Sequence, residues 1–319
     1  MNDVTIAIKT FERPESLKNL LQSIRQFYQD MYIIIADDSK KPYAQEIASC
    51  FSNIECISLR FDIGISAGRN AMLSRIKTKY FVLCDDDIIF FEKTKLEDFK
   101  KILDETDIEL VGGILVDRSG TGKFDKPNMY AGNLIIDSGR NLRIEAVKPD
   151  KEFVRCDIAN NFFMARTQSV LLKTGGWDPR LKISEHTDFY WTAKNRGLRV
   201  AFTPKVSVNH MGGHPPKYYF YRHTRKSKYL LMYFKKLNIR SFTDNWGTIN
   251  LNDIQPWWHK FIFQQKCIPK SFSEKWRNLR KGDQPFLNRI WSWLVYFVTR
   301  QKCMPWFVIQ MWRKFKGYL

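Results

Sequence analysis

The chain has 319 residues, of which 44% are hydrophobic and 27% are charged, a balance typical of a folded globular protein. Its six cysteines form no close-spaced pair, which argues against a thiolate metal site and favours reduced thiols in a cytosolic compartment. The chain opens without a basic-then-apolar signal segment, and no uncharged apolar run reaches the ~18 residues of a spanning helix, so we expect neither secretion nor membrane spanning.

The N-terminal part of the chain alternates apolar strands with helices. Pro14 suits the first position of a helix, and leucines and isoleucines recur after it at helical spacing. Nearly all-apolar strands that alternate with helices predict an α/β fold with a parallel sheet covered on both faces. The predicted strands are 4–8, 32–36, 54–59 and 80–84, and the helices between them begin at Pro14 and span about 42–51 and 66–76.

The rest of the body is predicted to contain strands, two helices and a hairpin or flap. Ser184 suits the N-cap of the second helix, and Gly197 suits its end. The predicted strands are 109–116, 199–203 and 206–210, the hairpin or flap is 120–139, and the helices end at Gly175 and span 185–196.

Polar clusters follow three of the strands, at Thr10 to Arg13, at Asp37-Asp38 and at Asp85 to Asp87. Because ligands of parallel sheets bind at the carboxyl ends of strands, we expect a pocket there. Adjacent carboxylates repel one another, so the acidic triplet predicts a cation beside it, most simply Mg²⁺ or Mn²⁺. The alternative is an acidic turn before the next helix. Glycine-rich phosphate-binding fingerprints are absent, which argues against dehydrogenases and ATPases.

The net charge of +19 is unevenly distributed. Residues 217–319 contain 21 Lys and Arg against 4 Asp and Glu, and eight of the ten tryptophans lie after residue 240. The chain therefore divides into a near-neutral body, 1–215, and a basic, aromatic, mainly helical C-terminal region, 216–319. Tryptophans and basic residues favour an anionic membrane surface, so 285–319 is predicted to attach there. The alternative is a helical subdomain packed on the body, and no motif supports RNA binding.

Six short motifs lie in order along the body: Thr10 to Pro14, Ala36 to Ser39, Gly64 to Asn70, Asp85 to Asp87, Glu185 to Phe189 and Val208 to His210. Together they resemble the GT-A glycosyltransferases of family-2 type. Within that type, the resemblance is nearest to the β-1,4-N-acetylgalactosaminyltransferase branch of glycolipid synthesis. It implies a Rossmann-like, mostly parallel sheet between helices, and it does not extend to the C-terminal region.

By this resemblance the donor is a UDP-sugar. The resemblance places Thr10, Glu12, Arg13 and Asp38 around the base and ribose, where a carboxylate can accept the uracil N–H. Arg69 approaches the base or the diphosphate. The alternative for Arg69 is a solvated helix arginine, and the alternative for Asp37 is a turn carboxylate that caps the next helix. The implied donor-binding residues are Thr10, Glu12, Arg13, Asp38, Gly64, Arg69, Asp85 and Asp86.

The resemblance also implies Mn²⁺ (or Mg²⁺), which neutralises the diphosphate leaving group. Asp87 of the DXD-type triplet is its implied ligand, and His210 completes the coordination. The catalytic base departs from the family pattern. Family-2 enzymes usually have Glu-Asp here, and this chain has His186 at the second of these positions, flanked by Glu185 and Asp188. We place the base within this trio and prefer His186 to Asp188. The alternative is that the two acids only start the helix.

The reaction that the resemblance implies is an inverting sugar transfer to a hydroxyl of a glycan or lipid-linked acceptor. N-acetylgalactosamine is the preferred sugar, followed by galactose and N-acetylglucosamine. Trp177 and Asp178 are candidates for acceptor binding, with a packed loop as the alternative. Such an enzyme would build capsule or lipooligosaccharide as a cytoplasmic, peripheral protein on the inner face of the cell membrane. The rival functions are a sugar nucleotidyltransferase and a non-catalytic, membrane-bound nucleotide- or glycan-binding protein.

Overall fold

The computed structural model describes residues 1–118, 130–149, 152–212, 218, 221 and 226–254, together with the backbone of 126–128. The chain divides into two compact units, Met1–Trp257 and Trp258–Leu319. All described residues belong to the first unit, so the membrane attachment predicted for 285–319 lies outside them. Among the described helices, none combines the length and the apolar character that crossing a bilayer requires.

The strands and helices follow the predicted alternation as far as β4, and six strands, β6 to β11, follow one another later in the chain. The strands are β1 (Val4–Thr10), β2 (Tyr32–Asp37), β3 (Ile54–Ser58), β4 (Tyr80–Asp85), β5 (Ile88–Ile89), β6 (Leu110–Arg118), β7 (Lys126–Asn128), β8 (Gly132–Ile136), β9 (Asn141–Ala146), β10 (Val154–Cys156), β11 (Phe163–Arg166), β12 (Val200–Met211), β13 (Ser241–Asp244) and β14 (Gly247–Asn250). The helices are α1 (Pro14–Phe27), α2 (Ala44–Ala48), α3 (Ile65–Leu73), α4 (Leu96–Glu105), α5 (Thr167–Thr174), α6 (Glu185–Asn195) and α7 (Lys226–Leu237).

The larger sheet has the strand order β10-β12-β6-β11-β4-β1-β2-β3, with β5 paired to β12 and β7 paired to β6. Strands β1 to β4 are parallel where they pair, β6 is parallel to β12, and β11 runs antiparallel between β4 and β6. The predicted mostly parallel α/β sheet is confirmed. Thr10 pairs with Asp37, and Lys9 pairs with Asp85, so the three polar clusters come to one edge.

Helices cover both faces of this sheet, as the all-apolar strands predict. On one face, Leu17 and Ile24 of α1 and Phe99 of α4 belong to one buried cluster. On the other face, Met72 of α3 and Phe189 of α6 belong to a second buried cluster. Because apolar side chains fill both faces, the polar residues of the site gather at the strand ends.

The strands predicted at 199–203 and 206–210 form one strand, β12, which corrects the prediction. Its register with β6 shifts between Phe202 and Ser207. Pro204 lies in that interval and has no N–H to give to the ladder, which accounts for the irregularity.

Two other local predictions need correction. Ser184 precedes α6 with a φ of 63°, but its side chain makes no capping hydrogen bond. In the stretch 120–139, predicted as a hairpin or flap, the described strand β7 pairs antiparallel with β6 and β8 pairs antiparallel with β9, so the stretch contributes to two antiparallel pairs instead of one hairpin. Gly197, with a φ of 68°, follows α6 as predicted.

A smaller sheet, in the order β14-β13-β9-β8, joins residues after 240 to the body. Strand β13 runs parallel to β9, with Ser241 opposite Asn141. Tyr233 and Phe234 of α7 are buried in the same cluster as Phe189. The compact unit that holds the body therefore extends beyond residue 215, and residues 226–254 pack within it.

Candidate active site

The acidic triplet lies at the end of β4, beside the end of β1. The Thr10 hydroxyl donates a hydrogen bond to Asp86 Oδ2 at 2.6 Å. The Arg13 guanidinium lies between two carboxylates, since Nη1 donates to Asp87 Oδ2 at 2.7 Å and Nη2 forms an ion pair with Asp86. The cation that the sequence predicts beside the triplet is therefore partly supplied by the chain itself.

The two buried carboxylates of this corner differ in their electrostatics. Burial raises the pKa of Asp86 to about 7, although the charge of Arg13 opposes that rise. Burial also acts to raise the pKa of Asp87, but His210 and Arg13 together hold it well below its usual range. In turn, the interaction with Asp87, and then with Asp117, raises the pKa of His210 to about 9. Asp87 is thus the carboxylate that stays ionised.

Asp87 and His210 are the predicted metal ligands, and the structure brings them together. Asp87 Oδ2 lies 3.7 Å from His210 Nε2. A carboxylate oxygen and an imidazole nitrogen are donors that Mn²⁺ accepts, so the chemistry of the pair fits the ion. However, no group of three or more His, Cys, Asp or Glu side chains in the described part of the chain is arranged to hold a metal.

Asp38 follows β2 and is held from two sides. Lys9 Nζ donates to one carboxylate oxygen, and the backbone N–H of Gly64 donates to the other at 2.8 Å. Gly68 makes room for Lys9, because a Cβ there would lie 2.3 Å from Lys9 Cδ. Lys9 was missed from the sequence, where the available signal was a lysine inside an otherwise apolar strand. Asp38 therefore reaches the site already oriented.

Glu12 and Asp37 organise the loops around the site. Glu12 has a φ of 54°, its N–H donates to Ser39 Oγ at 2.8 Å, and its Oε1 accepts the N–H of Lys40 at 2.8 Å. These contacts join the loop after β1 to the loop after β2. Asp37 Oδ2 accepts the backbone N–H of Ala44 at 3.1 Å at the start of α2, so the capping interpretation of Asp37 is confirmed.

Arg69 connects the corner formed by Thr10, Arg13 and Asp85 to Asp87, the donor corner of the sequence prediction, to the start of α6. Its side chain is fully buried, Nη2 donates to Asp85 Oδ1 at 2.9 Å, and Nη1 donates to Glu185 Oε1 at 3.3 Å. A solvated helix arginine is therefore wrong for this position. Gly64, with a φ of 105°, begins the turn into α3, and a Cβ there would lie 2.6 Å from Lys182 Cγ. Only glycine fits this turn.

The three candidate bases at the start of α6 have different surroundings. Glu185 lines the cavity beside Asp85. His186 Nδ1 contacts Asn161 Oδ1, and burial together with the nearby charge of Arg69 lowers the pKa of His186 to about 3. An imidazole with so low a pKa is a weak base near neutral pH. The geometry favours Glu185 over the His186 preferred from the sequence.

Asp188 is buried away from the cavity lining and is held by a residue that the sequence analysis missed. Lys236 Nζ, from α7, lies 2.7 Å from Asp188 Oδ2 and 2.9 Å from Asp178 Oδ2. Burial raises the pKa of Asp188, although Lys236 opposes the rise. Asp178 is further bound by Arg180 at 2.7 Å. Lys236 thus connects α7 to α6.

Trp177 does not support its predicted role in acceptor binding. Its side chain is only 3% exposed, and its ring stacks on Phe189 with centroids 4.6 Å apart. Its backbone N–H and carbonyl both bond the Asn70 side chain, at 2.8 and 2.7 Å. A ring in the core cannot stack on a sugar, so the packed-loop alternative is the correct one.

One cavity collects many of the predicted residues. The predicted residues that line it are Thr10, Arg13, Asp38, Gly64, Asp85, Asp87 and Glu185. The structure adds residues that were not among the predicted site residues, notably Lys9, Phe11, Asn161, Lys182, Tyr218 and Tyr221. The remaining predicted residues, which include Glu12, Arg69, Asp86, His186, Asp188 and His210, do not belong to the lining. Of these, Arg69, Asp86, His186 and His210 contact lining residues.

An aromatic wall closes one side of this cavity. The Tyr218 ring lies 4.4 Å from the Arg13 guanidinium. Tyr221 packs edge-on against Phe11 and Phe61, with centroids 5.5 and 5.6 Å apart. The signal in the sequence was the tyrosine-rich run soon after His210. These contacts bring residues beyond the predicted catalytic domain to the donor side of the cavity.

The sequence profile of Glycosyl transferase family 2 matches residues 5–170, about half of the chain. The chain belongs to glycosyltransferase family 2. This family-2 chain is similar to Beta-1,4 N-acetylgalactosaminyltransferase 2 of Mus musculus, with 37% identity over 224 residues, 68% of this chain and 41% of the mouse protein. Beta-1,4 N-acetylgalactosaminyltransferase 1 of Homo sapiens is 34% identical over 65% of this chain and 38% of the human protein. The family-2 chain spans less than half the length of these relatives.

Solved structures share the fold. TarS 1–349 of S. aureus in complex with UDP-GlcNAc has a TM-score of 0.51 and 15% identity, over 67% of this chain and 60% of that chain. A second structure of S. aureus TarS has a TM-score of 0.52 and 12% identity, over 85% of this chain and 44% of that chain. The predicted GT-A fold and the predicted family resemblance are both confirmed.

Proposed function

We propose that this family-2 chain is an inverting hexosyltransferase that moves a sugar from a UDP-sugar to a hydroxyl of a glycan or lipid-linked acceptor. One observation carries the proposal: the same cavity is lined by Asp38 after β2, by Asp85 and Asp87 at the end of β4, and by Glu185 at the start of α6. The first three suit a nucleoside diphosphate site, and the fourth suits a general base. The donor site and the base therefore share one cavity.

The donor that this cavity suits best is a UDP-sugar. Asp38 provides carboxylate oxygens that can accept the N–H of uracil, and Lys9 and Gly64 hold it in place. Two findings support this choice: the TarS structure holds UDP-GlcNAc, and the similar mouse protein is an N-acetylgalactosaminyltransferase. N-acetylgalactosamine is therefore the preferred sugar, followed by galactose and N-acetylglucosamine.

Mn²⁺, or Mg²⁺, is the proposed cofactor, held by Asp87 and His210. When bound, the ion would neutralise charge on the diphosphate leaving group. Arg13 contributes positive charge at the same corner through its contacts with Asp86 and Asp87. Because Thr10 and Arg13 already orient these carboxylates, the corner is arranged before the donor binds.

Glu185 is the proposed base. Its carboxylate takes the proton of the acceptor hydroxyl as that oxygen forms a bond to the anomeric carbon of the sugar. The bond from the anomeric carbon to the diphosphate breaks on the opposite face, and UDP leaves with the bonding electrons, which inverts the configuration. Arg69 contacts both Glu185 and Asp85, so it fixes the separation of the base and the donor corner.

The proposed setting is capsule or lipooligosaccharide synthesis at the inner face of the cell membrane. Its support is the composition of residues 217–319, with 21 basic against 4 acidic residues, which would attract anionic lipid. Flotation with phosphatidylglycerol vesicles tests the attachment by comparing the full chain with a chain that ends at residue 284. Equal binding of the two would contradict attachment through 285–319.

The deciding experiment for the reaction offers UDP-GalNAc, UDP-galactose and UDP-GlcNAc with Mn²⁺ and measures UDP release, with and without acceptor glycosides. We expect release from at least one donor, faster when an acceptor is present. Formation of a UDP-sugar from UTP and a sugar 1-phosphate would instead support the nucleotidyltransferase. Thermal stabilisation by UDP without any release would support the non-catalytic binding protein.

A further inference from the structure

Trp246 is an exposed aromatic residue at the tip of a tight hairpin. It lies in the two-residue turn between β13 and β14, where Asp244 pairs with Gly247. The side chain is 69% exposed, and the backbone N–H of Trp246 donates to Asp244 Oδ1 at 2.8 Å. A large apolar ring in water beside a carboxylate is a combination suited to binding a ligand with both apolar and polar surface.

Two successive ring contacts connect Trp246 to helix α6. Its ring packs on Tyr130, with centroids 5.1 Å apart and an angle of 32° between the planes. Tyr130 is buried and packs in turn on His186, at 5.7 Å and 37°. His186 directly follows Glu185 and contacts Asn161, and both of these neighbours line the cavity.

The hairpin that carries Trp246 is paired into the smaller sheet of the first unit. Strand β13 pairs with β9, and β9 pairs with β8, which begins just after Tyr130. Trp246, in the turn after β13, and Tyr130, just before β8, are therefore both adjacent to strands of one sheet.

We propose that Trp246, supported by Tyr130 and bordered by Asp244, is the acceptor subsite and that it binds a pyranose ring of the acceptor glycan. The C–H face of the sugar would stack on the indole ring. The Asp244 carboxylate would accept hydrogen bonds from the hydroxyl groups of the sugar. The ring contacts from Trp246 through Tyr130 to His186, which contacts Asn161 and follows Glu185, connect this subsite to the cavity lining. The inference rests on the proposed function and moves acceptor stacking from the buried Trp177 to an exposed tryptophan near the same helix.

The kinetic test uses the full chain with the substitutions Trp246→Ala and Trp246→Phe. We expect Trp246→Ala to raise the KM for the acceptor glycoside about tenfold, because a stacking contact is lost, while the KM for the UDP-sugar stays near its original value. Trp246→Phe keeps a ring and should recover most of the affinity. Leu172→Ala, which removes a side chain that is 81% exposed on α5, is the matched control and should change neither constant.

A binding test that needs no turnover separates this inference from the proposed function. The full chain is labelled with 5-fluorotryptophan, and the ¹⁹F signal of Trp246 is assigned by its loss in Trp246→Phe. We expect methyl β-D-galactoside, or its N-acetylglucosaminide counterpart, to shift that signal. Failure of UDP release alone would overturn the proposed function and leave this result standing.

Two outcomes would overturn the inference. The first is an unmoved Trp246 signal with both glycosides up to their solubility limit. The second is an unchanged acceptor KM in Trp246→Ala, together with weaker flotation of that variant on phosphatidylglycerol vesicles. That second result would assign the exposed ring to a lipid surface.

Discussion

Asp87 in the donor corner and Asp188 at the start of α6 are both buried carboxylates, yet their pKa values shift in opposite directions. Asp87 contacts Arg13 and His210, and its pKa lies well below the usual range. Asp188 shares the single ammonium of Lys236 with Asp178, and burial raises its pKa. Burial alone therefore does not determine the pKa of a carboxylate. The number and sharing of its cationic partners decide in which direction its pKa moves.

The largest expected effect comes from removing the ionised carboxylate of the donor corner. Asp87→Asn should lower sugar transfer about 10³-fold, because preorganised electrostatic groups at a leaving group contribute effects of this order. UDP-release kinetics with Mn²⁺ measure it. Glu145→Gln changes an exposed carboxylate of β9 and should retain full activity. Undiminished transfer by Asp87→Asn in excess Mn²⁺ would remove Asp87 from the site.

The next largest expected effect concerns the start of α6. Glu185→Gln should lower transfer about 10²-fold by removing the base, with UDP affinity kept near its original value. His186→Gln should cost less, since the imidazole does not line the cavity. Single-turnover rates and UDP titrations of the two variants measure the contrast. A larger loss in His186→Gln than in Glu185→Gln would restore the preference for the histidine.

A smaller effect concerns stability. Lys236→Met should lower the free energy of unfolding by about 1–2 kcal/mol, because Asp188 would keep its burial and lose its cation, while partial exposure of the lysine limits the cost. Urea denaturation measures it, with Lys235→Met as the exposed neighbour control. Adding Asp188→Asn to Lys236→Met should recover part of the loss. Strict additivity of the two changes would show that the pair is not coupled.

The smallest effect is a pH dependence. The pKa of His186 is about 3 in the folded chain, against 6.5 as its ordinary value, so below pH 6.5 the unfolded state binds a proton that the folded state does not. Stability should therefore fall by less than about 1 kcal/mol from this group between pH 6.5 and pH 5.5, because the ring is partly exposed and burial acts on it only in part. Denaturation midpoints at several pH values measure the slope. His186→Gln should flatten it, and an identical slope would contradict the assignment.

The sequence predicted the residues of the donor corner better than those of the acceptor side. Thr10, Arg13, Asp38 and Asp87 line one cavity as expected, because parallel strands bring their carboxyl ends to one edge. Acceptor binding was assigned to Trp177, which lies in the core. Proximity along the chain to the base helix did not reveal whether that ring faced the core or solvent.

The sequence by itself determined the fold class and the family, because alternating apolar strands and short motifs at strand ends are local patterns that survive without knowledge of packing. It also required a positive charge beside the aspartates of the triplet. Only the tertiary structure decided that Arg13 supplies part of that charge and that Glu185 faces the cavity. Those outcomes depend on the rotation of α6 and on partners such as Lys236, brought together from distant parts of the chain by packing.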